Sequence, residues 1–210
     1  MNETKAYIQS LYKDSHSLLN EMEAYAEEHH VPIMEKDGIE ILKQLIRIHR
    51  PKNIFEIGTA IGYSAIQMAL AYSGSKVTSV EREQTRYKVA VDNIARAGLE
   101  QQIDTHLGDA VSFINELAED TQFDFVFVDA AKGQYKDYIE AIDSYVPTKG
   151  VIVIDNVLFK GYVSGASQEN QRWVKIGEKI AKFNEWLMNN ENYYTTIIES
   201  GDGIAIALKK

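Results

Sequence analysis

Short runs of β-branched and aromatic residues alternate along the chain with longer stretches in which apolar side chains recur every three or four positions. That alternation is the pattern of βαβ units, in which buried parallel strands are linked by amphipathic helices. The apolar runs cover residues 53–57, 76–81, 103–107, 123–129, 151–155, 195–199 and 204–208, which predicts seven strands. Helical spacing covers 63–72, 84–97, 111–118 and 135–145, with 5–29 and 36–49 ahead of the first strand and 173–188 ahead of the last two. Only Ser200, Gly201, Asp202 and Gly203 join the final two runs, a loop short enough for an antiparallel hairpin. The expected fold is therefore α/β: a doubly wound, Rossmann-like sheet of seven strands, mainly parallel with a C-terminal antiparallel hairpin, and helices on both faces. The first 50 residues would form a helical cap over it.

Composition leaves that picture in place and narrows the chemistry. A chain of 210 residues, 45% hydrophobic and 25% charged, fits one domain with a complete core. Repeats, linkers and low-complexity tracts are missing, and Pro32, Pro51 and Pro147 fall at expected element boundaries. The chain has no cysteine, so any metal must be held by oxygen or imidazole ligands. Charged residues interrupt the N-terminal apolar positions and no long uncharged apolar run occurs, so a cytoplasmic protein without a membrane span is expected. The net charge of -9 argues against indiscriminate binding of polyanions. It is unevenly spread, however: residues 157–182 carry Lys160, Arg172, Lys175, Lys179 and Lys182 against Glu169 and Glu178, which leaves a local basic face.

Candidate chemistry gathers at the C-terminal ends of the predicted parallel strands, where open α/β sheets bind ligands. The first strand carries Glu56 and runs into Gly58, then Gly62 and Ser64, a glycine loop that lets a ligand approach the backbone. The second ends in Glu81, a carboxylate placed to accept from both hydroxyls of a ribose. After the third come Gly108, Asp109 and Ala110, where a carboxylate can accept from an adenine amine while also capping the next helix. Three such features in order favour an adenosine-containing cofactor. The loop lacks the Gly-x-Gly-x-x-Gly spacing of a pyrophosphate site, which favours S-adenosylmethionine over a nicotinamide dinucleotide.

The fourth and fifth strands end in Asp129 and in Asp155-Asn156. On adjacent strands these give three oxygen ligands with positions left open, as a hard cation such as Mg²⁺ prefers. Lys132 follows Asp129 closely enough to reach the same cavity, where burial and cationic neighbours would lower its pKa and let it act as a general base. The expected reaction is attack of a metal-acidified hydroxyl on the sulfonium methyl, with Asp129 and Lys132 as the catalytic pair.

The segments Glu56-Ile57-Gly58-Thr59-Ala60-Ile61-Gly62-Tyr63-Ser64, Asp129-Ala130-Ala131-Lys132 and Asp155-Asn156-Val157-Leu158 resemble the metal-dependent catechol and caffeoyl-CoA O-methyltransferases over nearly the whole chain. Within that family, His29-His30-Val31-Pro32-Ile33-Met34, Ala131-Lys132-Gly133-Gln134-Tyr135 and Asn156-Val157-Leu158-Phe159-Lys160-Gly161 look like the bacterial branch that methylates 5-hydroxyuridine at the tRNA wobble position. The resemblance implies that Met34 and Ser64 contact S-adenosylmethionine alongside Glu81, Asp109 and Asp129, that Asp129, Asp155 and Asn156 bind Mg²⁺, and that the protein is a homodimer. It implies the anticodon region of tRNA as the substrate, an accessible single-stranded base whose 5-hydroxyl and 4-carbonyl can chelate a metal as a catechol does. The basic residues from Lys160 to Lys182 would then meet RNA phosphates. A small phenol is the alternative acceptor, and a non-catalytic protein that binds S-adenosylmethionine is the second alternative.

Overall fold

A computed structural model describes residues 3–12, 16–130 and 132–210. Ala131 of the quoted motif and residues 13–15 of the predicted first helix lie outside these described residues. Helices α1 (Glu3–Leu11) and α2 (Ser17–Glu28) stand where the spacing predicts one, followed by α3 (Lys36–His49). The alternating part runs β1 (Asn53–Ile57), α4 (Tyr63–Ala71), β2 (Lys76–Glu81), α5 (Gln84–Ala97), β3 (Ile103–Leu107), α6 (Ala110–Asn115), β4 (Phe125–Val128), α7 (Tyr135–Ile142) and β5 (Val151–Asp155). After it come α8 (Gln171–Met188) and the hairpin of β6 (Tyr193–Ile198) and β7 (Ile204–Lys209). Two 3-10 turns complete the described elements, Asp143–Tyr145 at the end of α7 and Phe159–Gly161 beyond β5.

The seven strands form one sheet in the order β3-β2-β1-β4-β5-β7-β6. The first five are parallel, and β7 runs antiparallel to both β5 and β6. Strand order reverses between β1 and β4, and the crevice above their C-terminal ends is where a doubly wound sheet binds ligands.

Side chains alternate across each strand, so neighbouring residues of one strand enter different cores. Phe55, Ile57, Val126, Val128, Ile152 and Ile154 pack with Tyr135, Ile139, Ile180 and Phe183 on one face. Ile54, Phe125, Phe127, Val151 and Val153 pack with Leu42, Ile46, Ile66 and Leu19 on the other. Both faces of the central strands are buried, which explains their unbroken apolar character. Among the described residues no helix is long and apolar enough to cross a membrane.

Strand β4 is shorter at both ends than the apolar run of 123–129. At its start, Phe123 N–H donates to the Tyr145 carbonyl, and the Asp124 carboxylate turns to accept Lys52 N–H and Asn53 N–H, each at 2.8 Å. Asp124 thus clamps the entry of β1 to the entry of β4. Charge-assisted hydrogen bonds of this kind contribute about 1.5–3 kcal/mol each. Asp124→Ala is therefore expected to lower the urea unfolding free energy by about 2 kcal/mol or more, whereas Asp120→Ala on the exposed turn should change it by less than about 0.5 kcal/mol. Equal midpoints for the two variants would refute the clamp.

Candidate active site

The glycine loop is built by contacts that a side chain would block. Gly58 has φ 101°, and a Cβ there would run into the backbone carbonyl of Asp129, so the loop leaving β1 passes hard against the end of β4. Gly62, at φ 87°, caps α4, and a Cβ there would lie 3.4 Å from Ala90 of α5. Between them Ala60 N–H donates to Glu81 Oε2 at 2.8 Å, which ties the loop to the end of β2.

A cavity of about 250 Å³ opens over this loop, lined by Gly58, Glu81, Asp109, Ala110 and Asp129 among the residues expected to hold the cofactor. Glu81 is buried, with Oε1 accepting from Glu83 N–H and Oε2 from Ala60 N–H, yet each carboxylate oxygen retains a second acceptor position. Asp109 caps α6 as expected, Oδ1 accepting Ser112 N–H at 2.9 Å, and it also lines the cavity. Arg82, Arg86 and Tyr138 line it too, and the pattern of the chain did not single them out. Arg82 follows β2 and Arg86 lies in the first turn of α5, places usually turned to solvent, and Tyr138 is one of the buried residues of α7.

Four residues expected at the cofactor, Met34, Glu56, Gly62 and Ser64, are not among those lining the first cavity. Glu56 is fully buried beneath the loop, where Oε1 accepts Ser64 Oγ–H at 2.5 Å and Oε2 accepts Ser79 Oγ–H. Ser79 Oγ also lies 2.5 Å from Thr59 Oγ1. Glu56 and Ser64 are thus spent on each other, and they brace the loop from below. Burial pushes the Glu56 carboxyl up to about 7, against the lowering effect of the two serine hydroxyls. Gly62 faces α5 rather than the cavity, for the packing reason given above. Met34 lines a second cavity, whereas its neighbours Pro32 and Ile33 line both.

The second cavity, about 310 Å³, lies beside the first and shares Pro32, Ile33, Lys132 and Asn156 with it. Asp155, Phe159 and Asp202 also line it. At the junction the paired register of β4 and β5 ends at Val128 and Ile154, so Asp129 and Asp155 are the next residues on neighbouring strands. Asn156 follows with φ 62°, a left-handed conformation that asparagine tolerates better than most residues. Among the described residues no group of three or more acids or histidines is placed to hold a metal ion, so the expected ligands here amount to two carboxylates and an amide.

Burial pushes Asp155 up to about 7, and the Asp129 charge beside it adds to the shift. Asp129 is raised as well, first by burial, with Lys132 opposing and Glu81 reinforcing. Lys132 donates from Nζ to Asn156 Oδ1 and stands 5.6 Å over the Phe159 ring. Its charged neighbours are the carboxylates of Asp129, Asp155 and Asp202, not the cations anticipated from the chain. The predicted catalytic and ligand residues Asp129, Lys132, Asp155 and Asn156 therefore meet at one point. Two mutually repelling, poorly solvated carboxylates with an amide oxygen beside them fit a divalent cation, which would relieve that repulsion.

Beyond this junction, Lys160 holds its Nζ 4.9 Å over the ring of Trp173, and Lys160, Arg172, Lys175, Lys179 and Lys182 are all exposed.

Comparison with known proteins agrees with this layout. The family model described as O-methyltransferase matches residues 9–210. A caffeoyl-CoA O-methyltransferase of Populus kitakamiensis is 30% identical over 95% of this chain and 89% of its own, and a flavonoid 3',5'-methyltransferase of Vitis vinifera is 30% identical over 94% and 88%. Among solved structures, a candidate caffeoyl-CoA O-methyltransferase from Staphylococcus aureus superposes with a TM-score of 0.91 at 34% identity, covering 100% of both chains. An O-methyltransferase from Bacillus cereus, in complex with SAH, superposes with a TM-score of 0.85 at 26% identity over 99% of this chain and 97% of its own. With a strand order that opens a cavity over the β1 glycine loop and a family match across almost its full length, this chain belongs to the O-methyltransferase family.

Proposed function

We propose that the protein transfers the methyl group of S-adenosylmethionine to a ring hydroxyl that has a second oxygen beside it, with Mg²⁺ or a similar cation held by Asp129, Asp155 and Asn156. The observation that carries this reading is the junction itself: two cavities share one wall, and both carboxylates and Lys132 stand there. The first cavity suits the donor, with Glu81 offering acceptor positions to ribose hydroxyls and Asp109 to an adenine amine. That the Bacillus cereus relative is described in complex with SAH supports the assignment.

The second cavity suits the acceptor. A divalent cation bound at the junction supplies positive charge that acidifies the acceptor hydroxyl. Lys132, held at the junction by its hydrogen bond to Asn156, would take the proton released there once it has given its own proton to solvent as the bound cation takes over the charge of the carboxylates. The oxygen–methyl bond forms as the sulfur–methyl bond breaks, in a line running from one cavity to the other. Pro32, Ile33 and Met34 roof the cavities with apolar surface, which limits water that would compete with the acceptor.

For the acceptor, a catechol or a caffeoyl-CoA-like phenol has the stronger support, since the named plant relatives act by name on caffeoyl-CoA and flavonoids. The wobble 5-hydroxyuridine of tRNA is a second reading, favoured by the exposed Lys160–Trp173 pair and the row of cations along α8, which suit phosphates and a stacked base. Incubation with labelled S-adenosylmethionine, Mg²⁺ and either a catechol and caffeoyl-CoA panel or hydroxyuridine-containing tRNA decides between them. Label in the phenols alone supports the first reading, and label in tRNA alone supports the second.

Asp155→Asn separates function from stability. Turnover should fall at least about 10³-fold because the cation loses a charged ligand. The raised carboxyl means that the folded state binds more protons than the unfolded chain between about pH 4 and 7, so stability falls as pH rises through that window. Removing the charge should therefore stabilise the metal-free protein at pH 8 by on the order of 1–3 kcal/mol in urea titrations. A variant that is both inactive and less stable at pH 8 would contradict this account. The same carboxyl sets an acid limb: activity should decline below about pH 7 at limiting Mg²⁺, and the limb should move to lower pH as Mg²⁺ is raised. An acid limb indifferent to Mg²⁺ would place the titrating group elsewhere.

A further inference from the structure

The segment that follows β5 takes an unusual path. Asn156, Phe159, Lys160 and Gly161 have φ of 62°, 43°, 53° and 79°, so four of six consecutive residues are left-handed, and only one of them is glycine. A phenylalanine and a lysine hold such angles only where surrounding contacts over-determine them. Those contacts come mostly from the β6–β7 hairpin, which the reaction scheme above does not use. Val157 N–H donates to the Gly203 carbonyl at 3.0 Å and Leu158 N–H to the Asp202 carbonyl at 2.9 Å. Lys160 N–H donates to Asp202 Oδ1. The Leu158 side chain lies so close over Gly203 that a Cβ at that position would collide with it. On the inner side Asn184 Nδ2 donates to the Val157 carbonyl at 2.8 Å and Tyr135 OH to the Asp155 carbonyl at 2.9 Å.

Of these partners Asp202 alone acts on the left-handed stretch through a side chain and also lines the second cavity. It is half-buried, and burial raises its carboxyl, opposed by the Lys160 N–H bond and by the Lys132 charge. Without that acceptor the Lys160 N–H loses its partner, and the turn carrying Phe159 and Lys160 has less to hold it. Asn156 begins the same stretch, so its amide oxygen is aimed by whatever fixes the residues after it.

We propose that Asp202 is a positioning residue for the acceptor half of the site: by latching the 156–161 segment to the β6–β7 hairpin it places Asn156 for the cation and Phe159 as a wall of the acceptor cavity. The inference rests on the cation-assisted reading above and goes beyond it, because Asp202 is neither a ligand nor a base in that scheme.

The test uses the full chain and Asp202→Ala and Asp202→Asn, with Mn²⁺ as the cation probe in electron paramagnetic resonance titrations and S-adenosylmethionine binding measured by calorimetry. In Asp202→Ala the Mn²⁺ dissociation constant should rise at least about tenfold and the Lys160 amide should exchange hydrogen at least about tenfold faster, while the S-adenosylmethionine constant stays within about twofold. Asp202→Asn keeps an oxygen acceptor for the Lys160 N–H and should return Mn²⁺ affinity to within about threefold of the natural protein. The latch is refuted if Asp202→Ala leaves Mn²⁺ affinity unchanged, if both ligands weaken together, or if the asparagine variant is as weak as alanine. Natural protein that binds no Mn²⁺ would instead overturn the cation-assisted reading, and the latch with it.

Discussion

Two carboxylates at the ends of neighbouring buried strands are the constraint around which this structure is arranged. Asp129 and Asp155 each extend a buried strand, Asp155 itself buried and Asp129 partly so, and each carboxyl meets reduced solvation and the other's charge. A sheet gains nothing in stability from such a pair, because an unpaired buried charge costs several kcal/mol. What offsets the repulsion in the folded chain is Lys132 from the β4–α7 connection and the backbone N–H of Asn156, which donates to Asp155 at 2.8 Å. A cation of higher charge would offset it better, which is the physical ground of the proposed cation-assisted reaction.

The rest of the molecule serves to hold that pair open to two sides. On one side the loop leaving β1 must pass directly against Asp129, which only a residue without a Cβ allows, and the first cavity is the space left above it. The buried Glu56–Ser64–Ser79 network stiffens the loop from below, and Glu81 ties it laterally to β2. On the other side the antiparallel hairpin extends the sheet past β5 and gives the chain after Asn156 something to dock on. Without β7 beside β5, the second cavity would lack a wall. The departure from a plain doubly wound sheet is therefore a feature of the site as much as of the fold.

Much of this was legible in the chain. Continuous apolar runs read as doubly buried strands, and the short Ser200-Gly201-Asp202-Gly203 connection read as a hairpin, because such patterns depend on local spacing and turn chemistry that a sequence states openly. The meeting of Asp129, Asp155 and Asn156 was also legible, since it follows once β4 and β5 are adjacent and parallel. Less legible were the depth at which a side chain sits and the direction it points. Glu56 and Ser64 belong to the right motif yet face inward to one another, Met34 lines the second cavity, and Asp124 leaves the strand pattern to clamp β1.

The sequence by itself determined the order and kind of elements, the strand-end placement of the acids and the family to which the chain belongs, because these rest on periodicity and on motifs contiguous in the chain. Only the tertiary structure decided which acids face solvent, which face a cavity and which face another acid. It alone showed that Lys132 is surrounded by carboxylates rather than cations, and that Asp202, 46 positions beyond Asn156 by their numbers, holds the segment that begins there. Such relations depend on distances between residues far apart in the chain, set by the packing of whole strands, and no local pattern encodes them.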